Sequence, residues 1–488
     1  MDNTPSTLSI FDRVGAWFRE SVFIKLFTIG FLTLILLIPQ SWIESLIRER
    51  QYRASSVVNE ITSKWSGPQT LAGPVLIIPF TNRERIDKGK NGVEIREWDQ
   101  EAYFLPEQLD VNGNVSPQVL HRGLFDAAVY ESAIDLNATF AKPNFKKLGV
   151  AAQDIHWGEA KLAYCLTDLR GISDNPVFMN GKAILNGEPS NQIGFSTPST
   201  SVSSLLDDDH DGDAYPAAVT AASAGPTGTG IVTTLPWQTE ADFNGTVTAK
   251  LNLKGSSLLY FVPVGKTTDV NLKGPWANPS FDGEFLPDER EITDKGFSAH
   301  WKVLHYNRPF AQEWTGTNTE LTGASFGTRL LIPVDQYQKS IRTARYGILI
   351  ILLTFVSLFL VEIIRNIRIH AFQYLLIGAA LIIYYTLLLS LSEHVGYNTA
   401  YLIASSATVL LVSLYASSFL RKGGMTAFFG TILAFFYGFI FVIIQLQDYS
   451  LLLGSIGLFI VIALVMYFSR HIAWYKEEAL AQDTPMGS

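Results

Sequence analysis

Long uncharged runs constrain this chain more than any other feature. A helix rises about 1.5 Å per residue, so roughly 20 apolar residues cross about 30 Å of hydrocarbon. Runs of that order lie between Lys25 and Glu44, His370 and Glu393, His394 and Arg421, Lys422 and Asp448, and Asp448 and Arg470. A shorter run, Tyr346 to Val361, reaches that length only with Glu362, Ile363 and Ile364. Glu362 is therefore predicted near a helix end, snorkelling to the headgroups. The first run exceeds the roughly 7–15 residues of a signal-peptide core, and no small-x-small cleavage site follows it, so it reads as an uncleaved anchor. The prediction is a bundle of six transmembrane helices at 26–43, 346–364, 371–392, 397–419, 425–445 and 450–469.

Charge placement orients the spans. Arg365 and Arg368 follow the second, Arg421 and Lys422 join the fourth and fifth, and Arg470 and Lys476 follow the sixth. The alternate connections, 393–398 and 445–450, carry no Lys or Arg. Basic connections stay in the cytoplasm, and Arg13, Arg19 and Lys25 place the N-terminal stretch there too. Segments 1–25 and 470–488 are thus expected inside, and 44–345 outside. Arg48, Arg50 and Arg53, with Lys339, Arg342 and Arg345, oppose this reading. Long domains, however, translocate largely regardless of charge.

The charged residues concentrate in the region 41–344, and the charged fraction of 17 % is low for the whole chain. A net charge of −8 argues against a nucleic-acid partner. The one cysteine, Cys165, has no partner for an internal disulfide. Half-buried strands show as alternation in Val129-Tyr-Glu-Ser-Ala-Ile-Asp-Leu-Asn-Ala-Thr-Phe140, in Thr246–Leu253 and in Ser298–Leu304. Gly-Pro, Asn-Gly and Asp-Gly pairs at 67–68, 73–74, 112–113, 186–187 and 282–283 punctuate them. This predicts a large, mostly β, sandwich-like antiparallel domain inserted between the first two membrane helices. Residues 41–64 are the exception, with Trp42, Leu46, Ile47, Val57 and Ile61 at helical spacing. Phe104-Leu-Pro-Glu107 recurs as Phe285-Leu-Pro-Asp288, which fits either two related halves or a chance repeat.

Motifs that could carry chemistry are weak. Asp207, Asp209, Asp211, Gly212 and Asp213 match the first half of a calcium loop, but its twelfth position is Ala218 and Pro216 interrupts the exit. A solvated acidic loop over 205–231 is the favoured reading. Gly225-Pro-Thr-Gly-Thr-Gly230 lacks the strand–turn–helix context and the Lys of a phosphate loop. His156, Glu159 and Asp154 cluster beside Trp157 and read as polar residues on a strand or turn rather than as a catalytic or metal group, and His300 and His305 lack zinc spacing. No nucleophile elbow or His-Glu-x-x-His helix occurs. No catalytic residue, metal ligand or cofactor is therefore assigned. Among the spans, Glu393, His394, Gln373, Gln445 and Asp448 are read as interfacial loop polarity. Tyr384, Tyr385, Ser405, Ser406 and Thr408 add mild polarity, no proline falls between 346 and 469, and Gly430 with Ala434 forms a candidate packing face.

Several blocks together resemble the CreD family of bacterial inner-membrane proteins. They are Ser41-Trp-Ile-Glu-Ser-Leu-Ile-Arg-Glu-Arg-Gln-Tyr-Arg53, Trp65-Ser-Gly-Pro-Gln-Thr-Leu-Ala-Gly-Pro-Val75, Arg122-Gly-Leu-Phe125, Asp168-Leu-Arg-Gly-Ile172, Pro263-Val-Gly-Lys266, Pro279-Ser-Phe-Asp-Gly-Glu-Phe-Leu-Pro287, Pro333-Val-Asp-Gln-Tyr-Gln-Lys-Ser340 and Leu389-Ser-Leu-Ser-Glu-His-Val-Gly396. The resemblance implies a Gram-negative inner-membrane protein of cell-envelope integrity. Its family is tied to a two-component system and to altered β-lactam resistance and colicin tolerance. It supplies no catalytic residues. The expectation is a non-enzymatic protein acting through a periplasmic domain, with membrane lipids and either envelope proteins or peptidoglycan as partners. The alternative is a transporter or lipid-handling protein acting through the C-terminal helices.

Overall fold

The computed structural model describes residues 22–87, 93–196, 228–316, 319–321, 323–330, 332, 335–365, 367–420, 423–446 and 450–470. The chain divides into two units, Met1–Arg53 with Val334–Ser488, and Ala54–Pro333.

The first unit is helical. Helix α1, Val22–Trp65, is 44 residues long, or about 66 Å, so its apolar first half accounts for a membrane crossing and its second half continues beyond one. The helical spacing read in residues 41–64 is this second half. A short helix α2, Asp335–Arg345, precedes α3 (Gly347–Arg365), α4 (Ala371–Val395), α5 (Tyr397–Leu420), α6 (Gly423–Gln445) and α7 (Ser450–Ser469). Helices α1, α3, α4, α5 and α6 are each long and apolar enough to cross a membrane. Helix α7, 20 residues without a charge, occupies the sixth predicted span. The predicted boundaries shift in one respect that matters: α2 clusters with the helices, so the β domain ends before it rather than at 345.

Close helix approach depends on small residues. A Cβ on Gly378 of α4 would lie 2.2 Å from Leu36 of α1 and 3.1 Å from Phe355 of α3, so only glycine lets these helices meet there. Gly430 of α6 similarly faces Ser413 of α5. Ala434 is exposed, which removes it from the predicted Gly430 packing face.

The second unit is a β domain of two large sheets, of nine and eight strands. The first sheet runs Pro279–Gly283, Phe326–Leu330, Leu258–Phe261, Gln69–Asp87, Lys161–Leu166, Gly228–Thr234, Gly187–Ile193, with Val93–Phe104 added alongside Gln69–Asp87 and Glu313–Thr315 alongside Val93–Phe104. The second runs Glu289–Thr293, Gly296–Leu304, Thr267–Gly274, Gln108–Arg122, Phe125–Thr139, Thr246–Ser256, Val177–Asn180, Ala183–Leu185. Alternating residues of Phe125–Thr139 and Thr246–Ser256 turn inward, and both sheets feed one core that includes Leu76, Ile78, Leu136, Val111, Trp301 and Phe326. That is the sandwich the alternation predicted. The sheets are not purely antiparallel, however: Leu258–Phe261 lies parallel to Gln69–Asp87, and Thr267–Gly274 parallel to Gln108–Arg122.

The repeated Phe-Leu-Pro motif has a shared structural job. Phe104-Leu-Pro-Glu107 leads from Val93–Phe104 in the first sheet to Gln108–Arg122 in the second. Phe285-Leu-Pro-Asp288 leads from Pro279–Gly283 to Glu289–Thr293 across the same pair of sheets. Around them each sheet holds a parallel pair, Gln69–Asp87 with Leu258–Phe261 and Gln108–Arg122 with Thr267–Gly274.

Candidate functional site: polar clusters among the helices

Three of the blocks that carry the family resemblance meet at one carboxylate. Glu393 sits in the last turn of α4, and its side chain is only 8 % exposed. Its Oε1 accepts a hydrogen bond from Tyr337 Oη of α2 at 3.1 Å, and its Oε2 lies 3.8 Å from Arg50 Nη1 of α1. Burial and the adjacent carboxylate push the Tyr337 phenol well above its ordinary range, so it stays a donor. Glu393 is thus a buried, partnered group rather than the loop polarity read from sequence. Arg50, one of the basic residues that opposed the orientation, faces this carboxylate.

The buried side of α2 is polar along its length. Tyr337, Ser340 and Thr343 recur three residues apart, which puts them on one face. Thr343 Oγ1 and Tyr397 Oη of α5 are 2.5 Å apart, and Gln40 Nε2 of α1 donates to the Ala344 carbonyl. Ser340 Oγ and Gln40 Oε1 are buried without a protein partner.

A second ion pair joins α1 to α3. Lys25 Nζ lies 2.7 Å from Glu362 Oε1, and Tyr374 Oη of α4 donates to Glu362 Oε2 at 3.1 Å. Glu362 is 3 % exposed. The predicted snorkelling is therefore corrected: a carboxylate near a helix end has turned inward because a lysine and a phenol meet it there.

From Tyr397 a run of phenols continues into the helices. Tyr401 of α5 stacks near Tyr384 of α4, and Tyr384 packs against Tyr385 and against Tyr437 of α6, with ring centroids 6.0, 4.8 and 4.7 Å apart. Tyr401 Oη donates to the Tyr437 carbonyl at 2.7 Å. Tyr384 and Tyr385, read from sequence as mild polarity, are 1 % exposed.

In the β domain the block at 65–75 meets the block at 168–172, and other blocks supply ion pairs to neighbouring strands and to α1. Asp168 Oδ2 accepts from the Gly67 amide at 2.9 Å and from Arg170 Nη2 at 2.8 Å, while Arg170 Nη1 donates to the Ser63 carbonyl in the last turn of α1 at 2.9 Å. Gln69 Nε2 donates to the Asp168 carbonyl at 2.7 Å. These bonds satisfy helix-end groups that would otherwise lack partners. Burial works to raise the Asp168 carboxyl, but the Arg170 guanidinium and two amides outweigh it and hold it below the usual range. Arg122 and Lys64 hold the Glu60 carboxyl of α1 down to about 2. Lys266 Nζ pairs with Glu107 at 2.9 Å, and Asp282 Oδ2 accepts from Arg329 at 2.6 Å and from Tyr260 at 2.9 Å.

The other sequence candidates disperse. His156 Nε2 lies 2.9 Å from Thr81 Oγ1, Asp154 pairs with Arg83 at 3.1 Å, and Glu159 is exposed. His300 faces Asp269 on the neighbouring strand at 3.3 Å, and His305 stacks on Tyr306. Gln373 accepts from the His370 amide and closes the start of α4, Gln445 donates to Asn398, and His394 is exposed. Asp448 and the acidic residues Asp207, Asp209, Asp211 and Asp213 lie outside the described residues. Gly228–Thr234 is a strand, which corrects the loop reading of 205–231 at its end. A Cβ on Gly230 would fall 2.0 Å from the Tyr164 carbonyl, so this glycine serves strand approach. Burial pushes the Cys165 thiol up to about 12, which leaves it inert. Among the described residues no group of three or more His, Cys, Asp or Glu could hold a metal.

An open groove of about 510 Å³ crosses one end of the second sheet, with Asn114, Lys273, Glu291, Lys295 and Phe297 in its lining.

Comparison with known proteins agrees with these blocks. The family model described as inner membrane protein CreD matches residues 21–475. The inner membrane protein CreD of Escherichia coli (strain K12) is 31 % identical over 462 residues, covering 94 % of each chain. With its apolar helices, its inserted β domain and a match over nearly its whole length, the chain belongs to the CreD family of multi-pass inner-membrane proteins.

Proposed function

We propose that this protein supports cell-envelope integrity and the response to envelope stress, including β-lactams, through its β domain, which stands in the periplasm and acts by binding rather than catalysis. The observation that carries this reading is the use made of the charged blocks in that domain. Asp168 with Arg170, Glu107 with Lys266, and Asp282 with Arg329 bond to one another and fix the sandwich and the helix end. Such residues build a rigid scaffold, and binding then falls to surfaces such as the groove at Lys273, Glu291 and Lys295. The orientation follows from the basic connections at Arg365, Arg368, Arg421 and Lys422, and both chain ends lie in the cytoplasm. Envelope proteins or peptidoglycan are the partners of this surface, and membrane lipids surround the helices. Substitution of the groove residues tests the reading: loss of resistance to detergent and β-lactam stress in cells supports it, and wild-type resistance speaks against it.

A second reading, a transporter or lipid-handling protein acting through the helix block, is favoured by the buried ionisable groups Glu362 and Glu393. Charge inside a membrane protein is costly and tends to mark function. Glu393→Gln with normal stability but lost stress resistance would favour it over the first.

A further inference from the structure

The phenols of α4, α5 and α6 form a polar column through an apolar setting. At its outer end Thr343 Oγ1 meets Tyr397 Oη at 2.5 Å, one residue from the exposed Gly396 and Asn398. Tyr397 and Tyr401 follow at one helical turn, with ring centroids 5.8 Å apart. Tyr401 leads to Tyr384, Tyr385 and Tyr437. Tyr384 lies near the middle of α4, so the column ends about 17 Å from one end of that helix and about 20 Å from the other.

The hydroxyls at the inner end are short of partners. Tyr385 Oη and Tyr437 Oη are buried with no protein hydrogen-bond partner, and Tyr384 Oη lies beside the Tyr401 hydroxyl without a well-aligned bond to it. All three side chains are 2 % exposed or less. A phenol in a purely apolar place has no advantage over phenylalanine and carries the cost of an unbonded hydroxyl, commonly about 1–3 kcal/mol. Within a bilayer that hydroxyl finds no bulk water either. Three such groups converging from two helices call for a shared hydrogen-bonding ligand. A small molecule with two to four hydrogen bonds to give suits the tight edge-to-face rings, and water is the ligand of that size and chemistry.

We propose that this column holds a file of bound water that enters at the Tyr397 end and reaches the Tyr384, Tyr385 and Tyr437 hydroxyls in the middle of the helix block. The inference does not depend on the role of the β domain, and its failure would leave that role untouched. It gives the helix block a hydrated path from one face to mid-membrane.

Pulsed radiolytic footprinting of the full chain in lipid nanodiscs tests it. Hydroxyl radicals made from bound water oxidise the residues the water touches. Tyr385 and Tyr437 are expected to gain oxygen at rates approaching those of exposed Tyr52 and Tyr306. Tyr130, buried in the β core and bonded to the Leu258 carbonyl, is the dry control. In the near-isosteric Tyr437→Phe protein, labelling of Tyr385 is expected to fall severalfold as the file loses an anchor. Labelling of Tyr385 and Tyr437 no faster than Tyr130, or labelling of Tyr385 unaltered by Tyr437→Phe, overturns the proposal.

Discussion

Lys25 Nζ and Glu362 Oε1 stand 2.7 Å apart, one in the first turn of α1 and the other in the last turn of α3. The pair links the anchor helix to the C-terminal helices across 337 positions of sequence. Removing one partner leaves a charge with no counterpart in a poorly hydrated place. Lys25→Met is therefore expected to destabilise the helix block by about 2 kcal/mol, below the full cost of a buried pair because Lys25 is 33 % exposed. The double variant Lys25→Met, Glu362→Leu is expected to recover most of that loss. Thermal unfolding of the purified protein in detergent, arranged as a double-mutant cycle, measures both; a double variant as weak as the single would count against the pairing.

Asp168 predicts a pH dependence. Its carboxyl is held below the usual range in the folded protein, so its stabilisation is full above the ordinary carboxylate value of about 3.9 and is lost as pH falls through the lower folded value. Asp168→Asn should lower stability at neutral pH by about 1–2 kcal/mol, a modest figure because Arg170 is largely exposed. The gap between variant and wild type should close below about pH 4. Unfolding followed by circular dichroism across that range checks it, and a gap that persists at low pH would contradict the assignment.

Gly230 predicts a steric effect without any chemistry. Alanine there must push the Gly228–Thr234 strand away from Tyr164, at a cost of about 1–3 kcal/mol. Limited proteolysis should then cut the β domain sooner. Equal protection of Gly230→Ala and wild type would mean the strands do not pair in this register.

Tyr337 and Glu393 predict a split between the two functional readings. Tyr337→Phe removes one hydrogen bond to the carboxylate and should cost about 1.5 kcal/mol in the helix block. If the β domain carries the envelope role, cells with this variant keep their stress resistance so long as the protein reaches the membrane.

The sequence makes the spans legible because bilayer thickness sets run length, and α3 to α7 begin or end within a few residues of the predicted positions. It makes the sandwich legible where one sheet face is buried, as in Phe125–Thr139. It hides what depends on partners far along the chain. Run length placed Glu362 at a helix end but said nothing of Lys25 or Tyr374. Glycine-rich 228–231 reads as a loop, yet its lack of side chains is what lets it lie against Tyr164. Asp335–Arg345 reads as the end of a polar domain because its buried face is itself polar, with Tyr337, Ser340 and Thr343 where leucines would announce a helix. The family blocks were visible as words, and only the fold shows that Arg50, Tyr337 and Glu393 are one contact.

The central claim is that the β domain binds an envelope component in the periplasm. Site-specific photo-crosslinking from Lys273, Glu291 and Lys295 in intact cells measures this most directly. The account predicts a discrete crosslinked envelope partner, lost when the groove is substituted together with the resistance to envelope stress. Crosslinks only to cytoplasmic components, or full stress resistance in groove variants alongside its loss in Glu393→Gln, would contradict it.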